Sequence, residues 1–464
     1  MARLSALQLY KLLPKTNCGE CTEKTCMAFA MKLMERGVKA EHCVQLKGDK
    51  LKKLREVIMP PVREVVLGKD AQEITVGGEE VLYRHDLKFF NPTAMMLDIS
   101  DAMDENTVKS RIDFVRNYKY ERVGKILKID GICIRCATND KEKFLKTVNN
   151  VHQNFDKTIV LCTLNHEIMD AALEIVKDKR PLIYAATLAN LKEMFKLAKK
   201  YDCPLAVHSE NIDEIGSMTK TLTGVGWTDI VIDPGFDFEN LSSTINKLEI
   251  LRKAALKGIK EFSFPVMIST VGLKNLNFGE NAAVFEALSI SLCLDRFVGL
   301  ITFHFNEFYS VMETLTLRMN IYADPRVNPT TEPKIYTIGN PDENSPVLIT
   351  SNFALTYFAV AGDVESAKIS CYLLVIDTEG LAVLVALAGG KLTADKIKEA
   401  MDNSKVENLV KHRKLVIPGY VGRIKGAIED ATNWEILVGP QDSGGLGDFL
   451  RKNWTEGGLE VKTK

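Results

Sequence analysis

The sequence predicts an α/β chain in three pieces: a small cysteine-rich N-terminal domain, a central (β/α)8 TIM barrel, and a C-terminal open, Rossmann-like α/β domain. Three observations carry this. Four of the ten cysteines, Cys18, Cys21, Cys26 and Cys43, fall in the first tenth of the chain. From about Met95, short apolar runs alternate eight times with stretches of helical periodicity. After a polar, proline-bearing linker from Tyr322 to Pro333 the alternation restarts, now with glycine at the strand ends. The boundaries fall at residues 1–59, 60–322 and 323–464.

Composition narrows the function classes. The 464 residues are 46% hydrophobic and 26% charged, which suits a chain that buries sizeable cores and not a disordered or fibrous one. Sixty basic residues oppose sixty-one acidic ones, so no excess charge points to a nucleic acid or an anionic membrane. The opening Met-Ala-Arg-Leu-Ser-Ala-Leu has too short an apolar run for a secretory signal, and nothing approaches the roughly 20 apolar residues of a membrane span. The expected location is the cytoplasm, where cysteines read as thiols or metal ligands, not disulfides.

The first domain reads as a helix from Leu4 to Leu13 stopped by Pro14, a cysteine-bearing turn, a helix from Met27 to Arg36 closed by Gly37, and a charged tail through Lys53. So short a segment needs a staple. Its cysteines form C-x2-C-x4-C-x16-C, with three thiolates on one turn and the fourth returning after a helix. Four thiolates suit a 4Fe-4S cluster or tetrahedral zinc. The crowding of three ligands into one loop, the close approach allowed by Gly19, and apolar cover from Met27 and Phe29 favour the cluster. Four unliganded thiols would leave the segment without a core. Pro60-Pro61 marks the boundary, and Ile74 to Tyr83 reads as a hairpin turning at Gly77-Gly78.

The barrel strands are expected at Met96–Ile99, Lys125–Cys136, Thr158–Leu164, Pro181–Ala186, Pro204–His208, Asp229–Asp233, Phe264–Ser269 and Arg296–Phe303. Each precedes ten or more helical residues, as in Leu188–Lys200 and Asn281–Leu292; a doubly wound sheet is the competing topology. The strand ends carry Asp98, Asn165, His208, Ser209, Asp233 and His304, either as ligand contacts or as polar groups satisfied in the barrel mouth. In Cys133-Ile-Arg-Cys136 the cysteines lie three apart on a strand, so their sulfurs diverge. They read as core, as do Cys162, Cys203, Cys293 and Cys371.

In the last domain strands are expected at Val347–Thr350, Tyr372–Asp377, Lys414–Ile417 and Trp434–Val438. The loops after them hold Gly380, Gly419, Gly422, Gly439, Gly444 and Gly445, which suit a large ligand held by main-chain groups or serve as plain turns. Neither G-x-G-x-x-G after the first strand nor G-x-x-x-x-G-K-[ST] is present, so no dinucleotide or nucleoside triphosphate is supported. There is no D-x-H-x-x-G, and the domain's single histidine, His412, precedes a strand instead of following one.

Leu13-Pro-Lys-Thr-Asn-Cys-Gly-Glu-Cys21, Arg84-His-Asp86, Pro181-Leu-Ile-Tyr-Ala-Ala186, Thr350-Ser-Asn-Phe-Ala-Leu-Thr-Tyr357 and Gly380-Leu-Ala-Val383 occur in one domain order. Over essentially its whole length the chain resembles the large subunit of the corrinoid iron-sulfur protein, in archaea the gamma subunit of the acetyl-CoA decarbonylase/synthase complex. The resemblance implies a methyl carrier, a Co-methyltransferase component acting within a complex. A base-off corrinoid (cobamide) in the last domain would take a methyl group as Co(I) from a methyl-tetrahydropterin of the sarcinapterin or folate type. It would pass the group to acetyl-CoA synthase, or run the reverse, while the 4Fe-4S cluster reduces Co(II) to Co(I).

The family's cluster ligands map onto Cys18, Cys21, Cys26 and Cys43, and its corrinoid contacts onto Thr350, Thr356, Gly380, Leu381, Ala382, Val383 and Ser443. With cobalt as nucleophile, no catalytic side chain is expected. The implied partners are a small subunit paired through its own barrel, the methyl donor or its methyltransferase, and the acetyl-CoA synthase subunit. Hinges are expected at Ala323–Pro333 and Leu54–Val62. A stand-alone pterin-dependent barrel methyltransferase with an accessory iron-sulfur domain is the alternative, and an assembly subunit without a cofactor is a further one.

Overall fold

A computed structural model describes residues 5–275 and 279–454. The chain ends placed at residues 1 and 464, and the first residues of the opening run, lie outside them. The chain divides into two compact units, Met1–Tyr120 with Leu127–Ala323, and Glu121–Ile126 with Asp324–Lys464.

The first unit opens with three helices. In α1 (Ala6–Leu12) the Ser5 side chain caps the helix, which buries Leu9. Thr25 caps α2 (Cys26–Met34), which turns Cys26, Phe29, Ala30 and Leu33 inward. The expected charged tail is instead α3 (Gly48–Ile58). Its lysines face out while Leu51, Leu54, Val57 and Ile58 pack on the small core, so this segment has an apolar centre of its own. Of the segment expected as a hinge, Leu54–Val62, the part up to Ile58 is helix. Leu54 is fully buried within α3, and the Val62 amide donates to the Glu79 carbonyl.

The hairpin differs from expectation. Strand β2 (Ile74–Gly77) folds back antiparallel on β1 (Glu64–Leu67), turning at Asp70–Gln72 instead of at Gly77-Gly78. Gly77 (φ +84°) is required for close packing, since a Cβ there would stand 2.1 Å from the Arg63 carbonyl oxygen.

Eight parallel strands then form the barrel: β3 (Ala94–Ser100), β6 (Gly131–Arg135), β7 (Thr158–Cys162), β8 (Leu182–Ala186), β9 (Leu205–His208), β10 (Ile230–Asp233), β11 (Met267–Ser269) and β12 (Leu300–Phe303). The order β10-β9-β8-β7-β6-β3-β12-β11 is brought nearly to closure by a bridge between Ile232 and Val266. All eight expected runs carry a barrel strand. The run Lys125–Cys136 splits, however, because β5 (Lys125–Leu127) pairs with β4 (Tyr120–Arg122) in a separate hairpin. The helices between are α4 (Glu105–Asn117), α5 (Lys141–Asn154), α6 (His166–Val176), α7 (Leu191–Tyr201), α8 (Ile212–Gly224), α9 (Leu241–Leu256), α10 (Ala282–Leu294) and α11 (Phe308–Tyr322). The Asp104, Asp140, Asn165, Asn211 and Asn240 side chains start five of them.

Residues of alternating direction serve two layers. Met96, Val160, Ala206 and Leu300 fill the barrel interior with Val65, Leu67 and Val76 of the hairpin, while Leu97, Ile134, Leu161 and Ile301 pack under the helices. Cys133 joins the interior and Cys136 the outer layer, so their sulfurs do diverge. Cys203, Cys293 and Cys371 are buried core, but Cys136 and Cys162 are only half-buried because they sit where strands open into loops.

The second unit is a five-stranded sheet of order β13-β15-β14-β16-β17: β13 (Ile335–Ile338), β14 (Val347–Ser351), β15 (Cys371–Ile376), β16 (Lys414–Ile417) and β17 (Glu435–Val438). Four strands are parallel; the edge strand β13, unforeseen in the sequence, is antiparallel. Helices α12 (Ala354–Ser366) and α16 (Leu446–Asn453) contribute to one apolar cluster of the unit, and α13 (Val383–Ala388), α14 (Ala394–Ser404) and α15 (Lys425–Thr432) to the other. The linker is not free to Pro333. The Thr331 amide donates to the Asn352 carbonyl and the Ala354 amide to the Pro329 carbonyl, each at 2.9 Å. Among the described residues no helix is long and apolar enough to cross a membrane.

Candidate functional site

The cysteine loop is held by Asn17, whose side-chain oxygen accepts from the Cys26 amide at 2.9 Å. Gly19 turns the chain at φ +71°. All four cysteines, with Leu13, Asn17 and Phe29, border one cavity. Cys26 and Cys43 are buried, Cys21 is half-buried and Cys18 is exposed. Phe29 covers the cavity as expected; Met27 does not border it, since it lies off the inward face of α2. Among the described residues no three of His, Cys, Asp or Glu converge as ligands of a single metal ion. Tetrahedral zinc draws all its sulfurs to about 2.3 Å from one point. Four cysteines around one shared cavity are a donor set that fits an iron-sulfur cluster as well as zinc.

A second cavity, of about 390 Å³, opens at the carboxyl ends of β14 and β16. The chain runs from β14 to β15 on one side and later to β16 on the other, so this is the point where strand order reverses, the usual ligand crevice of such a sheet. Thr350, Thr356, Ala382, Val383 and Ser443 line it. The Thr350 hydroxyl is buried without a hydrogen-bond partner, a state that costs stability unless a ligand completes it. Ser443 donates its hydroxyl to the Asp363 carboxylate on α12.

Gly380 and Leu381 do not line the cavity. Gly380 (φ +74°) sits so close to the linker that a Cβ would lie 2.8 Å from the Thr330 methyl group. Leu381 packs against the core beneath, and its carbonyl accepts from the Thr378 hydroxyl at 2.7 Å. Leu355, Leu384 and Tyr420 were not anticipated: they border the cavity yet remain 59%, 52% and 41% exposed. Their signal was faint, an apolar residue in or just past a strand-end loop where a solvated helix start or turn would carry a polar one. His412 lies at the other end of the strands, its Nε2 2.9 Å from the Ser345 carbonyl and its ring against Trp434 and Trp454.

The barrel mouth holds two histidine–carboxylate pairs. Arg135 donates to both carboxylate oxygens of Asp98, at 2.8 and 3.0 Å, and His304 Nδ1 stands 3.0 Å from Oδ2, the oxygen with the longer of those bonds. Burial works to raise the Asp98 pKa, but His304 and Arg135 together hold it down at about 2. Across the mouth His208 Nδ1 lies 3.1 Å from Asp233, which also accepts from the Tyr184 hydroxyl. The bond to Asp233 raises the His208 pKa against the effect of burial. Glu286 is buried beside the first pair and accepts from Thr270 and from the amides of His304 and Phe305; burial pushes it up to about 7. Asn165 caps α6, and Ser209 donates to Glu214 at 2.7 Å, so both are engaged at helix starts.

Fold and sites together define a barrel protein with a four-cysteine head and an open α/β unit whose cavity lies at its switch point. A family model described as CO dehydrogenase/acetyl-CoA synthase delta subunit matches residues 64–450, and the chain belongs to that family. A second model, described as "Putative Fe-S cluster", matches residues 13–45, which include all four head cysteines. The chain is 41% identical to the acetyl-CoA decarbonylase/synthase complex subunit gamma of Methanopyrus kandleri, covering 100% of each chain. It is also 41% identical to the subunit of that name from Archaeoglobus fulgidus, covering 97% of this chain and 98% of that one. Among solved structures, a dihydropteroate synthase from Coxiella burnetii in complex with pteroic acid covers 56% of this chain and 100% of its own, at 14% identity and a TM-score of 0.40.

Proposed function

We propose that this chain is the large subunit of a corrinoid iron-sulfur protein, working in the cytoplasm within an acetyl-CoA decarbonylase/synthase complex. In this reading it is a Co-methyltransferase component that carries a methyl group between a methyl-tetrahydropterin and acetyl-CoA synthase. Residues 1–59 form the 4Fe-4S domain, 60–322 the barrel and 323–464 the corrinoid-binding domain. The small subunit, the methyl donor or its methyltransferase, and the acetyl-CoA synthase subunit are its partners.

The observation that carries the reading is the switch-point cavity, with apolar walls and an unpartnered Thr350 hydroxyl at its floor. Its fit is to a large, mostly apolar ligand with a few acceptor groups. Thr350, Thr356 and Ser443 offer hydroxyls to such a ligand. Leu355, Leu384 and Tyr420 form a rim that excludes water once it is covered. Gly380 and Leu381 shape the turn that presents Ala382 and Val383. When bound, the corrinoid supplies a cobalt nucleophile and the cluster on Cys18, Cys21, Cys26 and Cys43 a source of single electrons. His412 is engaged far from the cavity, which supports a base-off corrinoid.

An absorption spectrum of anaerobically purified protein, reconstituted with cobalamin, tests this. Corrinoid bands with a broad shoulder near roughly 400 nm, as iron–thiolate clusters give, are expected. A shoulder without bound corrinoid favours the stand-alone pterin enzyme, and a colourless protein overturns both.

A further inference from the structure

We propose that Asn17 and Glu23 set a low reduction potential for the iron-sulfur group on the four head cysteines; this rests on the reading of that group as the electron source for cobalt. Both residues border the cysteine cavity, together with Thr25 and Cys26 at the start of α2. The Asn17 side-chain oxygen accepts from the Cys26 amide at 2.9 Å, and the Thr25 hydroxyl from the Ala28 amide at 3.1 Å. Main-chain amides aimed at cluster sulfurs stabilise the reduced, more negative state and so raise the potential. A helix start, with its orphan amides and the positive end of its dipole, is the part of the wall best placed to do this. Asn17 withholds one of those donors. Its backbone suits the task, since it lies at φ +48°, a left-handed region that asparagine enters more readily than most side chains.

Glu23 acts through its charge. Lys32 pairs with it at 2.6 Å, but the two are unequally placed: the Glu23 side chain is 14% exposed and that of Lys32 52%. Water screens the ammonium more than the carboxylate, so the pair leaves a negative field at the cavity wall. Reduction adds one negative charge to the group, and that field opposes it. The two residues therefore push in the same direction. One electron leaves the reduced cluster as Co(II) becomes Co(I), and a low-potential one-electron carrier re-reduces the cluster. Because Co(I) is itself a strong reductant, the transfer runs forward only from a cluster whose reduced state is disfavoured.

The test is a redox titration of the anaerobically purified full chain, followed by electron paramagnetic resonance of the reduced cluster, on wild type, Asn17→Ala, Asn17→Asp, Glu23→Gln and Lys32→Met. At a fixed potential Asn17→Ala should raise the ratio of reduced to oxidised cluster about tenfold, a midpoint shift of about 59 mV for one electron. Glu23→Gln should raise it about threefold, the size of effect a partly exposed charge exerts. Asn17→Asp keeps the acceptor and should not raise it, and Lys32→Met, which bares the carboxylate, should lower it. An unchanged midpoint in Asn17→Ala or Glu23→Gln at wild-type iron content overturns the proposal, as does a rise in Lys32→Met. Should Asn17→Ala lose its iron, the opposite shifts of Glu23→Gln and Lys32→Met decide. A normal cluster signal with unshifted midpoints leaves the cluster reading standing, whereas wild type that holds zinc and gives no signal overturns both.

Discussion

The side-chain oxygen of Asn352 accepts from Thr378 twice, from its amide at 3.0 Å and from its hydroxyl at 2.8 Å. The same oxygen accepts from the Gly380 amide, and the Asn352 amide nitrogen donates to Asp377. One buried side chain thus fixes the loop after β15 against the loop after β14, and so the distance between Val383 and Thr350 across the cavity. Asn352→Ala leaves several buried donors unpaired and should cost about 2–4 kcal/mol. Denaturant midpoints should show the loss, and cobalamin titration a parallel fall in affinity of tenfold or more.

Thr350→Val separates ligand binding from folding. The hydroxyl it removes has no partner in the chain, so stability should hold or rise by up to about 1 kcal/mol. Corrinoid affinity should drop roughly five- to tenfold. A stability loss with unchanged affinity would assign the hydroxyl to the fold instead.

Cys21→Ser tests the head. Iron content and the cluster shoulder should fall together, and recovery of protein oxidised to Co(II) should slow. Protein reduced beforehand should still accept methyl at the normal rate. Equal loss of both abilities would tie the cluster to every turnover.

The two mouth carboxylates give opposite pH slopes. Glu286 titrates at about 7 in the folded chain, above its ordinary value near 4.5, so the folded state holds the proton more tightly. Its contribution is fully present below about pH 4.5 and is lost as pH rises through 7, on the order of 3 kcal/mol. Asp98, held down at about 2, contributes above its ordinary 3.8 and loses that as pH falls toward 2. Thermal midpoints measured from pH 4 to 8 should decline for wild type and flatten for Glu286→Gln.

Beneath the barrel Arg252 and Glu79 are almost wholly buried 3.5 Å apart, the guanidinium over the Phe297 ring. Arg252→Leu strands a buried carboxylate and should cost about 3–5 kcal/mol. Adding Glu79→Gln should recover much of it. Urea unfolding of the pair of variants reads the difference.

The barrel was legible because parallel strands buried on both faces read as unbroken apolar runs, as Ile159-Val-Leu161 and Ile230-Val-Ile232 do. Edge strand β13 was not: Ile335-Tyr-Thr-Ile338 is short, half-exposed and directly behind Pro333. Helix α3 was hidden by its lysines, which obscure the Leu51, Leu54, Ile58 stripe. The cavity's glycine loops announced themselves, whereas Leu355 and Leu384 did not, since a sequence shows that a residue is apolar but not that the fold leaves it uncovered. Reading α2 in phase from Cys26 would have placed Phe29, and not Met27, over the cysteines.

The fastening of Pro329 and Thr331 to the loop around Asn352 makes the tether and the pocket wall one piece of material. A pull on the chain ahead of Pro329 would load two main-chain hydrogen bonds beside Asn352 and Gly380, next to the loop that bears Ala382 and Val383.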